Sequence, residues 1–199
     1  MGIALRSSSI TGTPNAILDV AEKLVQTRGF NGFSYADISA ELGITKASLH
    51  YHFRTKADLG RTLIARYKET FRLALEEIDG ADLAPTARLW RYANIYARAL
   101  ADARMCLCGM LAAEYSTLPG AMQDEIRRFF DLNEEWLCRV VELGREQGEL
   151  SLDGPSRDIA RLLLGALEGA MLVARSYGDV TRFESAAGRL LDELGLPKR

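Results

Sequence analysis

Apolar residues along this chain recur at three- and four-residue steps, the period of an amphipathic helix, and no run alternates β-branched with polar residues over the length of a strand. The pattern predicts an all-α protein. Thr13-Pro14 supplies a capping residue followed by a proline at the first helical position, and Ile17, Val20, Ala21, Leu24 and Val25 continue one face until Gly29 ends it. Ser34 with Asp37 spells a capping box opening a helix through Leu42, with Ile38 and Leu42 inward, and Gly43 stops it after about two turns. Thr45 is placed to cap a third helix over 46–52. Thr55 with Asp58 caps a fourth, which carries Leu59, Leu63, Tyr67, Phe71 and Leu75 on one side. Two short helices joined by Gly43-Ile44-Thr45, with longer ones on either side, form a helix-turn-helix. After Gly80 the period resumes near 85–103, 106–115, 120–147, 156–177 and 180–194, with breaks at Leu118-Pro119-Gly120, Leu152-Asp153-Gly154-Pro155 and Gly178-Asp179.

The third helix and its flank contain both histidines of the chain, in His50-Tyr51-His52. Each helical residue advances by about 100°, so these imidazoles point roughly 200° apart and cannot share one metal ion. Cys106-x-Cys108 lacks a second ligand pair, so neither a metal nor a cofactor is expected. The same short helix carries Lys46, Ser48, His50, Tyr51 and His52, with Lys56 just beyond, as donors that match phosphate oxygens and base edges; Leu49 and Phe53 form its inner side. Ala47 keeps the first turn slim enough to approach a groove or a thymine methyl. The competing reading is a solvated helix with a satisfied core histidine.

Charge sharpens this picture. Net charge over the 199 residues is −2, yet residues 1–72 hold ten Lys/Arg against six Asp/Glu, and the remainder holds fifteen against twenty-one. An excess of positive charge in the first part fits an anionic partner there. The stretch MGIALRSSSITGTP has no hydrophobic segment of the kind a signal peptide needs, and the most apolar later run, 162–174, is about 13 residues long and interrupted by Glu168, too short for a membrane span. A cytoplasmic protein with no membrane partner is expected. Three cysteines, Cys106, Cys108 and Cys138, make an odd count that does not fit a disulfide framework.

Residues 14 to about 60 resemble the DNA-binding domain of the tetracycline-repressor (TetR) family. The resemblance rests on Gly29-Phe30, Ser34-Tyr35-Ala36-Asp37-Ile38, Leu42-Gly43-Ile44, Ser48-Leu49-His50-Tyr51-His52-Phe53 and Lys56-Ala57-Asp58-Leu59. His50 departs from the tyrosine usual at that position. The resemblance implies an N-terminal arm and DNA-binding domain over 1–55, a connecting helix over 56–80, and a ligand-binding and dimerisation domain over 81–199. It further implies that Lys46, Ala47 and His50 face bases in the major groove of double-stranded DNA, while Ser34, Tyr35, Thr45, Ser48, Tyr51, His52 and Lys56 hold phosphates.

In the second half, the segment from Ser156 is apolar nearly all round, with Ile159, Leu162, Leu163, Leu167, Met171 and Val173 interleaved with Gly165, Ala166, Gly169 and Ala170, and such a helix must be covered on every side. The last segment shows Phe183, Ala186, Ala187, Leu190, Leu191 and Leu194 as one stripe. Two such helices resemble the pair through which TetR-like proteins form a homodimer, which implies a palindromic operator; the alternative is an ordinary monomeric core. The family also implies a small-molecule pocket, for which Tyr92, Tyr96, Cys106, Met110, Trp136, Glu168, Met171 and Arg175 are the candidates, each open to the plainer reading of core packing. Cys106 near a helix start is either a reactive thiol or a small core residue. The expected function is a transcriptional regulator, a repressor released by an inducer. The alternatives are an enzyme using Cys106 as nucleophile, for which no partner histidine or phosphate loop is present, and a helical interaction protein whose head no longer binds DNA.

Overall fold

The structure, a computed structural model, describes residues 13–151 and 153–195. The arm before Thr13, Leu152, and the side chains of Thr13 and Leu194, on which the sequence reading placed a cap and the end of a stripe, lie outside the described residues. Nine α-helices and one 3-10 turn make up the described fold, and no strand occurs among the described residues: α1 (Thr13–Arg28), α2 (Tyr35–Leu42), α3 (Lys46–His52), α4 (Lys56–Gly80), α5 (Pro85–Ala101), α6 (Leu107–Ala113), the 3-10 turn (Tyr115–Thr117), α7 (Gly120–Glu146), α8 (Ser156–Tyr177) and α9 (Val180–Gly195). None of the helices among the described residues is long and apolar enough to cross a membrane.

The helices divide into two compact units that cut across the linear order. The first joins the described residues through Ala74 with Cys106–Phe129, and the second joins Leu75–Met105 with the described residues from Phe130 onward. In the first, α1 packs on α2 and α6 and α2 packs on α3; Ile17, Ala21, Leu24 and Val25 of α1, Ile38 of α2, Leu49 of α3 and Leu59, Leu63 and Ile64 of α4 are all at most 4% exposed. Each valine, leucine or isoleucine among them contributes about 1.5–3 kcal/mol on leaving water. Tyr67 and Phe71 of α4 meet Phe129 of α7, with ring centroids 5.5 and 5.1 Å apart. Around this apolar centre Arg66 forks to Asp19 at 2.7 Å and Glu22 at 2.8 Å on α1, and Lys68 reaches Glu125 of α7 at 2.9 Å.

In the second unit, α8 lies against α9 and α5. It buries Ala160, Leu163, Leu164, Leu167, Met171 and Ala174, while Phe183, Ala187 and Leu191 form the inner side of α9. The expectation of a stripe through Ala186 is corrected: Ala186 is exposed, one position off the buried row. On the outer side of α8, Leu162, Leu172 and Val173 remain 51%, 53% and 55% exposed.

Helices α7 and α9 end within one residue of the expected positions, while α5 and α6 differ by more. Helix α6 begins at Leu107 because Cys106 is its cap, with Sγ accepting from the Gly109 N–H at 3.4 Å, and a separate 3-10 turn follows Glu114. Helix α5 ends at Ala101 because Ala103 adopts φ 56°, a left-handed conformation that disfavours a Cβ. Ala103 is exposed. Ala103→Gly therefore raises stability by about 0.5–1 kcal/mol in urea titration; an unchanged or lower midpoint contradicts the strain assigned here.

Candidate nucleic-acid interface

Local chemistry builds the helix-turn-helix of the first unit. Ser34 caps α2: its Oγ accepts from Ala36 N–H at 3.2 Å, and Asp37 Oδ2 accepts from both the Ser34 N–H and the Ser34 hydroxyl at 2.8 Å. These bonds hold the Asp37 carboxyl below its ordinary value. Gly43 closes α2 at φ 65°, where a side chain would be strained, and donates its N–H to Ser39 O. Two residues later Thr45 caps α3, its Oγ1 accepting from Ser48 N–H at 3.1 Å. Leu49 is the one buried residue of α3, at 0% exposure, and Phe53 closes the helix by donating its N–H to Leu49 O at 2.8 Å.

The rest of α3 faces solvent. Thr45, Lys46, Ala47, His50 and Tyr51 are exposed, Tyr51 at 84%, and Ser48 and His52 are half-buried. The Tyr51 and His52 rings meet edge to face at 5.1 Å. His50 lies 4.9 Å from the Tyr35 ring, and its Nδ1 sits 3.2 Å from Arg54 O. A carbonyl only accepts, so that contact places the hydrogen on Nδ1 and leaves Nε2 of the neutral ring as an acceptor.

Three of the ten residues expected at DNA have their donors committed within the protein. The Ser34 hydroxyl hydrogen goes to Asp37. The Tyr35 phenol donates to Phe53 O at 3.0 Å, and burial, aided by Asp58, pushes its pKa up to about 12, so the bond persists across neutral and moderately alkaline pH. Lys56 donates to Phe30 O and Phe33 O and lies 4.5 and 4.1 Å from the two ring centroids. Desolvation lowers its pKa. In this structure the hydroxyl hydrogens of Ser34 and Tyr35 and two of the three hydrogens on the Lys56 ammonium are thus spent on bonds within the protein.

The candidate ligand residues fall in both units. Cys106, 1% exposed, and the half-buried Met110 belong to the first. In the second, Tyr92 and Tyr96 of α5 and Trp136 of α7 share one buried cluster. Tyr92 donates to Asn133 Oδ1 at 2.9 Å, so the 2.9 Å contact between the two phenols runs from Tyr96 to Tyr92. Trp136 stacks on Tyr92 at 5.4 Å and donates its Nε1–H to Asp79 at 3.0 Å. Glu168, Met171 and Arg175 share one face of α8, Met171 fully buried and the other two half-buried. Asn133, fully buried yet polar, was missed in sequence because its neighbours Leu132 and Glu134 give no signal of what it bonds. An open cleft of about 370 Å³ over Trp136, Asp79, Arg88 and Arg139 takes in only one of the expected residues. Among the described residues no group of His, Cys, Asp and Glu could hold a metal ion. Of the thiols, Cys138 is pushed up by burial and by Glu142, whose carboxylate lies 3.6 Å away.

Comparison with known proteins places this geometry in a family. Residues 17–61 match the profile "Bacterial regulatory proteins, tetR family" and residues 85–190 match "Tetracyclin repressor-like, C-terminal domain". The chain is 32% identical over 157 residues to the transcriptional regulator AcuR of Cereibacter sphaeroides, covering 74% of this chain and 69% of AcuR. It is 27% identical over 149 residues to the HTH-type transcriptional repressor DhaR of Mycobacterium sp. (strain GP1), covering 73% of each. A crystal structure of a TetR-family transcriptional regulator from Agrobacterium tumefaciens superposes with a TM-score of 0.88 at 35% identity, covering 92% of this chain and 97% of that one. The chain belongs to the TetR family of transcriptional regulators, DNA-binding proteins that are not enzymes.

Because α3 has only seven residues, its cap carries much of its stability. Thr45→Ala removes the acceptor for Ser48 N–H and costs about 1 kcal/mol of unfolding free energy, with faster amide exchange in α3. Wild-type exchange at Ser48 would show that the cap does not hold the helix.

Proposed function

We propose that the chain is a homodimeric repressor that reads a palindromic operator with α3 and leaves it when a small molecule binds. The single observation that carries the DNA reading is the exposure of Thr45, Lys46, Ala47, His50 and Tyr51 on a helix fixed from below by Leu49. Lys46, Ala47 and His50 take base edges in this reading, and Thr45, Ser48, Tyr51 and His52 take phosphates. With Nδ1–H given to Arg54 O, the His50 acceptor nitrogen matches an exocyclic amine of adenine or cytosine. DhaR, named as a repressor, supports repression over activation.

The outer side of α8 supports dimerisation. Leu162, Leu172 and Val173 are exposed there along with Gly165 and Gly169, where an added Cβ would meet nothing within 4 Å, so a second backbone has room to approach closely. A two-fold dimer repeats the reading helix, hence the palindrome. Inducer binding is assigned to residues of the second unit, the buried Tyr92, Tyr96 and Trp136 cluster and the Glu168, Met171 and Arg175 face of α8; Cys106 and Met110, of the first unit, are separate candidates. The coupling an inducer supplies is typically about 1–3 kcal/mol.

Gel-shift titration against genomic fragments tests the reading. Wild type retains particular fragments in a salt-sensitive manner; Lys46→Ala weakens their binding by about 1–3 kcal/mol and relaxes sequence preference, whereas Tyr51→Phe weakens all sequences alike. Absence of salt-sensitive, fragment-specific retention by wild type removes the regulator reading. Separately, Leu172→Glu yields monomers in light scattering with much reduced retention of the palindrome; a dimer that survives this change places the interface elsewhere.

A further inference from the structure

The loop of residues 29–33, between α1 and the α2 cap, is gripped by opposite charges acting on opposite ends of its peptide groups. The Glu114 carboxylate, between α6 and the 3-10 turn, accepts from Phe30 N–H at 2.6 Å and from Asn31 N–H at 3.2 Å. Beside it Asn31 Nδ2 donates to Thr117 Oγ1 at 2.9 Å. On the other side the Lys56 ammonium takes the Phe30 and Phe33 carbonyls. Phe30 is thus bonded to Glu114 through its N–H and to Lys56 through its C=O. Gly29 leaves room for this: at φ +81° it is left-handed, and a Cβ there would lie 2.8 Å from Glu114 Oε1.

We propose that Glu114 is a positioning residue for DNA binding. Its carboxylate fixes the loop, the loop fixes Lys56, and Lys56 opens α4 three residues after Phe53 closes the reading helix. The bonds are charge-assisted, the stronger class of hydrogen bond, and they span 84 residues of sequence, so α6 cannot shift within its unit without carrying the loop or breaking them. This inference rests on the reading of α3 as the DNA-contacting helix. Glu114 itself touches no nucleic acid in this scheme.

Glu114→Gln in the full chain is the test. Removing the charge from the acceptor of two backbone N–H groups lowers affinity for a retained DNA fragment about tenfold at temperatures well below unfolding. It leaves the salt slope of binding unchanged, because no phosphate contact is lost, and it speeds amide exchange at Phe30 and Asn31. Wild-type affinity, even with a lowered melting temperature, overturns the proposal by reducing Glu114 to a structural staple; so does a shallower salt slope, which would put the residue's effect on phosphates. If Glu114→Gln does not fold, Thr117→Val removes the Asn31 side-chain bond, together with the hydroxyl's own bond to Glu114 O, while leaving the Glu114 carboxylate in place; it is expected to weaken DNA binding a few-fold, and wild-type affinity there overturns the proposal equally. Should the wild-type protein retain no DNA at all, the regulator reading fails on its own, and exchange at the two amides then decides: faster exchange in the variant supports the grip by Glu114, and unchanged exchange refutes it.

Discussion

Burial of Leu49 is the constraint on which the rest of the first unit depends. A seven-residue helix is far too short to persist alone in water. It exists here because its one fully covered side chain is buried in the first unit, where α3 packs on α2, and loss of such a side chain to alanine costs about 2–5 kcal/mol. Thr45 and Phe53 then finish the two ends. With one residue inward, every other position of the helix is available to solvent, and a small recognition surface is the direct result of a minimal anchor.

Beside that surface stand side chains whose polar groups are bonded within the protein. Ser34 is committed to Asp37, Tyr35 to Phe53, and Lys56 to Phe30 and Phe33. Polar side chains with satisfied bonds specify geometry, because leaving a donor or acceptor unmet costs more than the bond gains. The second unit follows the same principle with neutral groups, in the one-way chain from Tyr96 through Tyr92 to Asn133.

Much of the architecture was readable in the chain, for identifiable reasons. The capping box at Ser34 and Asp37, the left-handed Gly43 and the cap at Thr45 are local devices whose geometry follows from residues within four positions, so spacing alone located them. Helix α8 could be read in the sequence only as apolar nearly all round, so its buried row of Ala160, Leu163, Leu164, Leu167, Met171 and Ala174 was not separable from the exposed Leu162, Leu172 and Val173. What spacing could not reveal was which way a long polar side chain turns. Lys56 reads as a surface donor beside a recognition helix, yet its ammonium finds two carbonyls and two rings of a loop more than twenty residues earlier. Glu114 carries no local signal at all, because its partners are 83 and 84 positions away. Ala103 was passed over because alanine does not advertise a left-handed turn.

Phe53 is held at both of its backbone groups, its N–H by Leu49 and its carbonyl by the Tyr35 phenol, and it is extended at φ −132° and ψ 102°. A residue pinned this way is a permanent break in the rod. Without it, the seven residues of α3 and the twenty-five of α4 are close enough in sequence to fuse into one continuous helix, and the short segment would inherit the long one's axis. The tyrosine–carbonyl bond thereby grants the short helix an orientation of its own.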